Sequence, residues 1–277
     1  MELTGGVNGM TYHPETNKTH SELGNSDKEF SPYPMGLMNF RLIGDINDTM
    51  SYKIKIDRDN VLQNSVNIAL LAKTDYFMME FGPFVGVCDN FDIPDAGISG
   101  AMEVSLPGIF SFSLAGSTTI GSNLEFTSNN FREILEAKLM LWFPGMLLTG
   151  TVNTRSLDRY SEDSEGNSLI RNNSLTRFML GLDFYSKSWP VVVNLEGGYQ
   201  IYSRKHTYGN RYNTDEIKSY FGGLRLDVHV SESLKIITGL EIPFLITSEE
   251  PMTVTPEFMN LCKFTAGFAY TFHGKHE

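Results

Sequence analysis

The sequence predicts an all-β fold, a single closed up-and-down antiparallel barrel of about fourteen strands over residues 1–277, with twelve or sixteen strands as alternatives. The first observation behind this prediction is that apolar and polar side chains alternate along most of the chain, with the period of two that a strand with one apolar face requires. The second is that tight turns and longer polar connections follow each other in strict order. A barrel with short turns at one end and loops at the other produces that order.

The last segment, Lys263 to Phe272, shows the alternation most clearly. Its even-numbered positions carry Phe, Ala, Phe, Tyr and Phe, whereas its odd-numbered positions carry Lys, Thr, Gly, Ala and Thr. A small and polar second face suits a barrel wall in a membrane, with lipid outside and a polar lumen inside. The remaining alternative is a soluble barrel or sandwich with inverted faces, which would bury Leu224, Leu240 and Phe268 together in a dry centre.

The other segments place strands and connections in a regular order. We predict strands at 2–13, 36–45, 50–57, 66–73, 76–87, 97–106, 109–119, 131–142, 146–156, 173–185, 189–203, 217–230, 234–247 and 263–272. The longer connections then fall at 14–35, 58–65, 88–96, 120–130, 157–172, 204–216 and 248–261. Prolines at Pro83, Pro190 and Pro243 each remove one ladder hydrogen bond, which predicts local bulges.

The end of the last segment carries a family resemblance. Thr265, Gly267, Tyr270 and Phe272 form a polar–x–Gly–x–x–aromatic–x–aromatic pattern. It resembles the C-terminal signal of bacterial outer-membrane β-barrel proteins, which implies the bacterial cell outer membrane as location, with outer-membrane lipid and the barrel-assembly machinery as partners. The composition is also similar to that of treponemal outer-membrane proteins. One departure from the family is that residues 273–277 follow the last aromatic residue, and we expect them to form a short periplasmic tail.

Composition and charge exclude several other classes of protein. There is no run of about 18 apolar residues, so transmembrane helices are excluded. The net charge of −11 argues against nucleic acid as a partner, since phosphate contacts need a basic face. Cys88 and Cys262 fit no zinc pattern, and we leave a disulfide between them open. No signal peptide is recognisable, and we expect the numbering to begin at the mature chain.

Charged residues on the inward faces are the candidate site. We predict that the lumen is lined by Lys53, Lys55, Glu80, Glu103, Arg132, Glu136, Lys138, Arg177, Asp183, Glu196, Arg225, Asp227, His229 and Glu241. The same face also carries Arg41, Asp57, Arg155 and Lys235. Both signs are nearly balanced, which fits a wet pore whose wall charges act on solutes. It fits equally well a lattice of ion pairs that only makes the interior compatible with water, and the two can coexist.

Other constellations give no catalytic or metal site. Arg225, Asp227 and His229 share a strand face, but the chain has no G-x-S-x-G nucleophile motif, and we predict no enzymatic activity. Acidic residues in the predicted loops are interpreted as solvated charge or as Ca²⁺ ligands, without the order of an EF-hand. They are Asp89, Asp92, Asp95, Asp158, Glu162, Asp163 and Glu165. We expect no cofactor and no bound metal.

The function that these observations predict is a porin-like outer-membrane channel for passive diffusion of small solutes. One alternative is a surface-displayed barrel whose loops bind host or partner molecules. Another is a transporter of hydrophobic substrates, because a fourteen-stranded wall is similar to that of the long-chain fatty-acid transporter family. That family carries an N-terminal hatch, and the first strand here begins near residue 2. A homo-oligomer and an extracellular ligand stay open as further partners.

Overall fold

The computed structural model describes residues 1–8, 35–59, 61–87, 94–120, 128–162, 168–186, 188–208, 211–248 and 262–272. Its strands are β1 Glu2–Asn8, β2 Met35–Asp45, β3 Met50–Asp59, β4 Gln63–Lys73, β5 Phe77–Val87, β6 Asp95–Leu106, β7 Phe110–Thr119, β8 Ser128–Phe143, β9 Met146–Glu162, β10 Ser168–Phe184, β11 Val191–Tyr208, β12 Arg211–His229, β13 Leu234–Ser248 and β14 Lys263–Tyr270. The predicted tail at 273–277 lies outside the described residues, as does Cys88.

Each strand pairs antiparallel with its neighbours in the chain, and β1 pairs with β14. The sheet therefore closes on itself, and the prediction of an all-β barrel with fourteen strands is confirmed. In the part of the chain that the structure describes, no helix is long and apolar enough to cross a membrane.

The two faces of the wall are arranged as the period-two pattern predicts. Leu224 and Phe264 are exposed on the outside, whereas Glu241 lies inside the barrel and pairs with Arg177 at 2.7 Å. The large apolar side chains of most strands are exposed in the same way, with Leu180 at 65%. An outer surface this apolar is the inverse of a soluble barrel, in which such side chains fill the centre.

Glycine permits the tightest turns. Gly108 and Gly145 both have a φ of 75°, in the left-handed region, and each follows a proline. Ile109 donates its backbone N–H to the carbonyl of Leu106 at 3.0 Å, which closes the first of these turns. Proline followed by a residue with positive φ is the pattern of a type II turn.

The three prolines disturb the ladder in different ways. Pro83 lies in β5, where the pairs on either side keep the same register across an interruption, so it makes a gap rather than a bulge. Pro190 comes before β11 and lies outside the strand. Pro243 lies next to a true irregularity, because the β12–β13 register shifts between Lys218 and Tyr220. The predicted bulge is thus present beside one of the three prolines.

The barrel has two walls of different height. β2 to β7 contain 10 to 12 residues each, and we call them the low wall. β8 to β13 contain 15 to 19 residues each, and we call them the tall wall. The extra length lies at the end opposite the short turns, and about six more residues extend a strand by roughly 20 Å.

This height difference corrects the predicted loops. The segments predicted as loops at 157–172 and 204–216 are mostly strand, and Tyr208 pairs directly with Arg211. The loop predicted at 58–65 is also mostly strand, because β3 runs to Asp59 and β4 starts at Gln63. The prediction failed there because polar residues on both faces hide the period of two, although the backbone ladder continues.

The outer face of the tall wall changes from apolar to polar along its length. Tyr199, Tyr220 and Phe244 form a row across three strands, with ring centroids 5.1 and 6.2 Å apart. On the adjacent strands β9 and β10, Thr154 and Thr176 share a hydrogen bond at 3.3 Å, one outward position beyond Phe178, which pairs with Tyr199. From Val228 up to Tyr220 the apolar face of β12 covers nine residues. At a tilt of roughly 40° this gives a band of about 23 Å, close to the roughly 25 Å of a membrane barrel.

Candidate functional site in the barrel lumen

The strand register places all fourteen predicted lumen residues on the inward face. On the low wall these are Lys53, Lys55, Glu80 and Glu103. On the tall wall they are Arg132, Glu136, Lys138, Arg177, Asp183, Glu196, Arg225, Asp227, His229 and Glu241. Several form ion pairs with strands that are not their neighbours, such as Arg177 of β10 with Glu241 of β13. Such pairs form only across the interior of the barrel. Their role in permeation stays a prediction.

A cavity of about 350 Å³ lies inside the barrel. Its charged lining consists of Lys55, Asp57, Arg58, Asp59, Glu136, Arg155, Arg177, Glu241 and Lys263. The lining comes from β1 to β3, from the turn after β3 and from β8 to β14. Inward side chains of β4, β5 and β7 such as Leu71, Phe84 and Ser111 are buried. The cavity is therefore off-centre, because side chains fill the space in front of these low-wall strands.

Arg177 anchors the floor of the cavity. Its Nη2 donates to Glu241 at 2.7 Å, and its guanidinium carbon lies 4.1 Å from the ring centre of Phe221. A guanidinium over an aromatic face is stabilised by the ring quadrupole in addition to its ion pair. Lys263 lies directly opposite Glu241 in the β13–β14 register. These four side chains bring β10, β12, β13 and β14 together at one level of the lumen.

The turn between β3 and β4 folds into the lumen. Val61 and Leu62 are buried and pack against Leu157 and Leu175 of the tall wall. Ile134 and Tyr202 are partly buried against the same cluster. Apolar contacts thus join the top of the low wall to the opposite side of the barrel. This turn narrows the lumen above the charged cavity.

Asp59 holds the turn in place. Its Oδ1 accepts hydrogen bonds from the backbone N–H groups of Val61 at 2.8 Å and Leu62 at 2.6 Å. Its Oδ2 accepts a hydrogen bond from Arg155 Nη1 of β9 at 2.8 Å, which crosses the lumen. The side chain of Asp59 therefore combines a turn cap with an ion pair between the two walls.

A second ion pair joins the two walls at the top of the low wall. Arg132 Nε of β8 donates to both oxygens of Asp95 of β6 at 2.8 Å, and both side chains are buried. The backbone N–H of Arg132 also donates to Thr119 Oγ1 at 2.9 Å. Gly86 leaves the room for this guanidinium, since a Cβ at that position would overlap it. The site is thus built from four strands.

The inward face near the short turns carries Arg225, Asp227 and His229, for which the sequence predicts no enzymatic activity. Arg225 donates to Asp227 at 2.8 and 3.0 Å, and Lys235 Nζ donates to the same carboxylate at 2.8 Å. His229 is exposed two residues further along the strand. With both oxygens of Asp227 bonded to cations, this arrangement is an ion-pair network.

The predicted acidic loops divide into three groups. Asp95 is buried in its ion pair, so the interpretation as a solvated charge is wrong for this residue. Asp158 belongs to β9 and accepts a hydrogen bond from Asn172. Asp89, Asp92, Asp163 and Glu165 lie outside the described residues, as does the side chain of Glu162. Among the residues that are described, no group of His, Cys, Asp and Glu could hold a metal ion.

Sequence reasoning missed several residues of this site. Asp59 and the pair Val61-Leu62 lay in a segment predicted as a polar loop, although two consecutive apolar residues in such a loop are a signal of burial. Lys263 lies on the polar face predicted for the last strand, but the set of charged residues predicted to line the lumen does not include it. Cys262 lies just before β14, and burial raises the pKa of its thiol. Its pairing with Cys88 stays open, because Cys88 lies outside the described residues.

The residues of the C-terminal pattern lie at the closing seam. Thr265 and Gly267 are inward in β14, opposite Gly6 and Thr4 of β1. Tyr270 and Phe272 are exposed and pack edge to face, with ring centroids 4.8 Å apart. The seam therefore carries an exposed aromatic pair at the end of the barrel where β1 begins and β14 ends.

Comparison with solved structures finds similar barrels at low identity. In-vitro folded OmpT, an outer membrane protein of Vibrio cholerae, has a TM-score of 0.45 at 9% identity, over 97% of this chain and 95% of that chain. Its loop L8 deletion mutant has a TM-score of 0.41 at 9% identity, over 97% of both chains. A refined porin structure has a TM-score of 0.41 at 9% identity, over 98% of this chain and 99% of that chain.

No protein-family model matches the sequence, and no curated protein matches it. At TM-scores below 0.5 the structural alignments carry no argument about function. Function therefore has to be inferred from the geometry of the lumen and of the outer surface.

Proposed function

We propose that the chain is an outer-membrane barrel that forms a narrow channel for small polar solutes. The observation that carries this proposal is a cavity lined by nine charged side chains inside a wall whose outer face is apolar. A wall of this polarity is stable where hydrocarbon lies outside and water lies inside. The charges around the cavity favour a polar solute over a fatty acid.

Three further observations support the location. The apolar band of about 23 Å matches the thickness that a membrane barrel needs. The aromatic row of Tyr199, Tyr220 and Phe244 lies where this band ends, the position that interfacial aromatic girdles take. The C-terminal pattern that ends at Phe272 favours the bacterial outer membrane, with its lipid and its barrel-assembly machinery as partners. The similarity of composition to treponemal outer-membrane proteins also belongs to this proposal.

The turn between β3 and β4 sets the size of the permeating solute in this proposal. Leu62 lines the cavity and also belongs to the apolar cluster that crosses the lumen. A solute has to pass beside this cluster, along the side of the lumen lined by Lys55 and Asp57. We therefore expect small unit conductances rather than those of a wide general pore.

The test is single-channel recording in planar bilayers with the folded protein. We expect discrete conductance steps, and larger steps for Leu62→Ala, because the shorter side chain widens the constriction. Val66→Ala, a change on the outer face of β4, is the matched control and is expected to leave the step size unchanged. Heat-modifiable mobility in detergent gels confirms folding of each variant. Folded wild-type protein that gives no steps above protein-free bilayers would overturn the channel.

A second candidate function has its own supporting observation. The tall wall projects beyond the low wall, and the outer face of this projection is mostly polar. Asn172, for example, donates a hydrogen bond from its side-chain amide to Asp158. A projecting polar wall fits a surface-displayed barrel that binds host or partner molecules. A folded barrel without conductance would favour this function over the channel.

A further inference from the structure

The net charge of the whole chain is −11, which by itself favours cations near the protein. The lumen distributes its charge differently from the chain as a whole. In most ion pairs on the inward face that are accessible to water, the cation is the partner that reaches the water, whereas the carboxylate is packed against the wall. The pair Lys73–Asp45 at the short-turn end is the reverse case, with Lys73 45% and Asp45 69% exposed.

Two pairs near the short turns show this asymmetry most strongly. The side chain of Arg225 is 45% exposed and its partner Asp227 is 13% exposed. The side chain of Arg41 is 48% exposed and its partner Glu2 is 21% exposed. Arginine is long enough to extend beyond the short carboxylate that it pairs with, so its guanidinium presents N–H groups to the lumen.

The cavity repeats the same order. Lys55 is 38% exposed against 25% for Asp57, and Arg155 is 27% exposed against 19% for Asp59. Both cations line the cavity. Arg177 and Glu241 are equally exposed, so this pair favours neither sign.

The carboxylates of the cavity are also bonded to the wall. Asp59 accepts two backbone N–H groups of its own turn in addition to Arg155. Glu136 accepts a hydrogen bond from Asn153 Nδ2 at 3.0 Å. A carboxylate has about four acceptor positions, and the hydrogen bonds from the wall use some of them. A guanidinium has five N–H donors and an ammonium three, and a single carboxylate partner does not use them all. A permeating ion therefore meets more donors than acceptors.

Given the channel proposed above, we propose that its lumen favours small anions, such as chloride and small carboxylates, over cations. The lumen is nearly neutral by formal count, and the preference arises from the position of the cations in front of the carboxylates. One unit charge at about 4 Å in water changes the local ion concentration by roughly fivefold. We expect a chloride-to-potassium permeability ratio of roughly two to five.

The experiment is the reversal potential of single channels in neutral-lipid bilayers across a tenfold KCl gradient. We expect the sign of a chloride-selective pore. Lys55→Gln and Arg225→Gln are expected to move the ratio toward cations, while Asp57→Asn is expected to move it toward anions. Lys55 and Asp57 form a matched pair because they are ion-paired neighbours on one strand. The ratio should also fall toward one at molar salt, where the Debye length is about 3 Å.

The outcomes separate the two proposals. Conductance steps with a preference for potassium would overturn the anion preference and leave the channel standing. The same holds for steps whose ratio does not respond to Lys55→Gln and Arg225→Gln. Folded protein without steps would overturn the channel and the anion preference together.

Discussion

The strands of the low wall and of the tall wall differ in how much of their outer face is apolar. Low-wall strands keep large apolar residues on the outside over most of their length, as in β5 from Phe77 to Val85. Tall-wall strands are apolar outside up to the row of Tyr199 and Tyr220, and beyond this level they carry mostly polar residues, such as Thr154 on β9. The comparison teaches that the length of a strand and the length of its apolar outer face are separate quantities in this barrel.

The two walls also meet inside the lumen. The buried pair Arg132–Asp95 joins β8 to β6, and the Asp59–Arg155 pair carries the β3–β4 turn across to β9. The low wall thus contributes the turn, and the tall wall contributes the apolar residues against which the turn packs. Because the walls differ in height, the β3–β4 turn at the top of the low wall faces the middle of the tall wall. The turn packs there and narrows the lumen.

The largest expected effect comes from breaking the contact between the walls at Asp95. Asp95→Asn leaves the Arg132 guanidinium buried without its counter-charge, and we expect a loss of about 3–5 kcal/mol in the free energy of unfolding. Tryptophan fluorescence during chemical unfolding in lipid vesicles measures it. Lys73→Gln, which breaks an exposed pair with Asp45 at 3.0 Å, is the control and is expected to cost no more than about 1 kcal/mol. Equal losses for the two variants would contradict a linking role for the buried pair.

The next effect tests where the membrane ends on the tall wall. Leu180 and Ser174 lie on the outer face of β10, six positions apart. Leu180→Arg places a charge within the apolar band and is expected to cost about 2–4 kcal/mol. Ser174→Arg places the same charge above the band and is expected to cost about 0–1 kcal/mol. Unfolding in vesicles measures both, and a cost for Ser174→Arg as large as that for Leu180→Arg would move the boundary upward.

The smallest effect compares one turn from each wall. Gly108→Ala and Gly145→Ala place a Cβ in the left-handed region, and each is expected to cost about 1–2 kcal/mol in chemical unfolding. Gly145→Ala is expected to cost slightly more, because its Cβ would lie 3.3 Å from the carbonyl oxygen of Tyr185. Gly36→Ala, with open space around it, is the control and is expected to be neutral or slightly stabilising. A loss at Gly36 equal to that at Gly108 would argue against a conformational cause.

The outward faces could be predicted well because the alternation of apolar and polar residues within each strand shows which side chains face outward. Along β14 and β12 the alternation alone separates Phe264 and Leu224 from Lys263 and Arg225. The projecting parts of β9 to β12 could not be predicted in this way. Their two faces are both in contact with polar surroundings, so no apolar period distinguishes a strand from a loop.

The sequence by itself determined the closed barrel, its number of strands and the inward direction of the fourteen predicted lumen residues. These properties depend on the period of two and on turn chemistry, which are local. Only the tertiary structure decided that the walls differ in height, that Asp59 meets Arg155 and that Val61 and Leu62 cross the lumen. Contacts of this kind join residues about a hundred positions apart, and they depend on the register and closure of the whole sheet, which no single segment encodes.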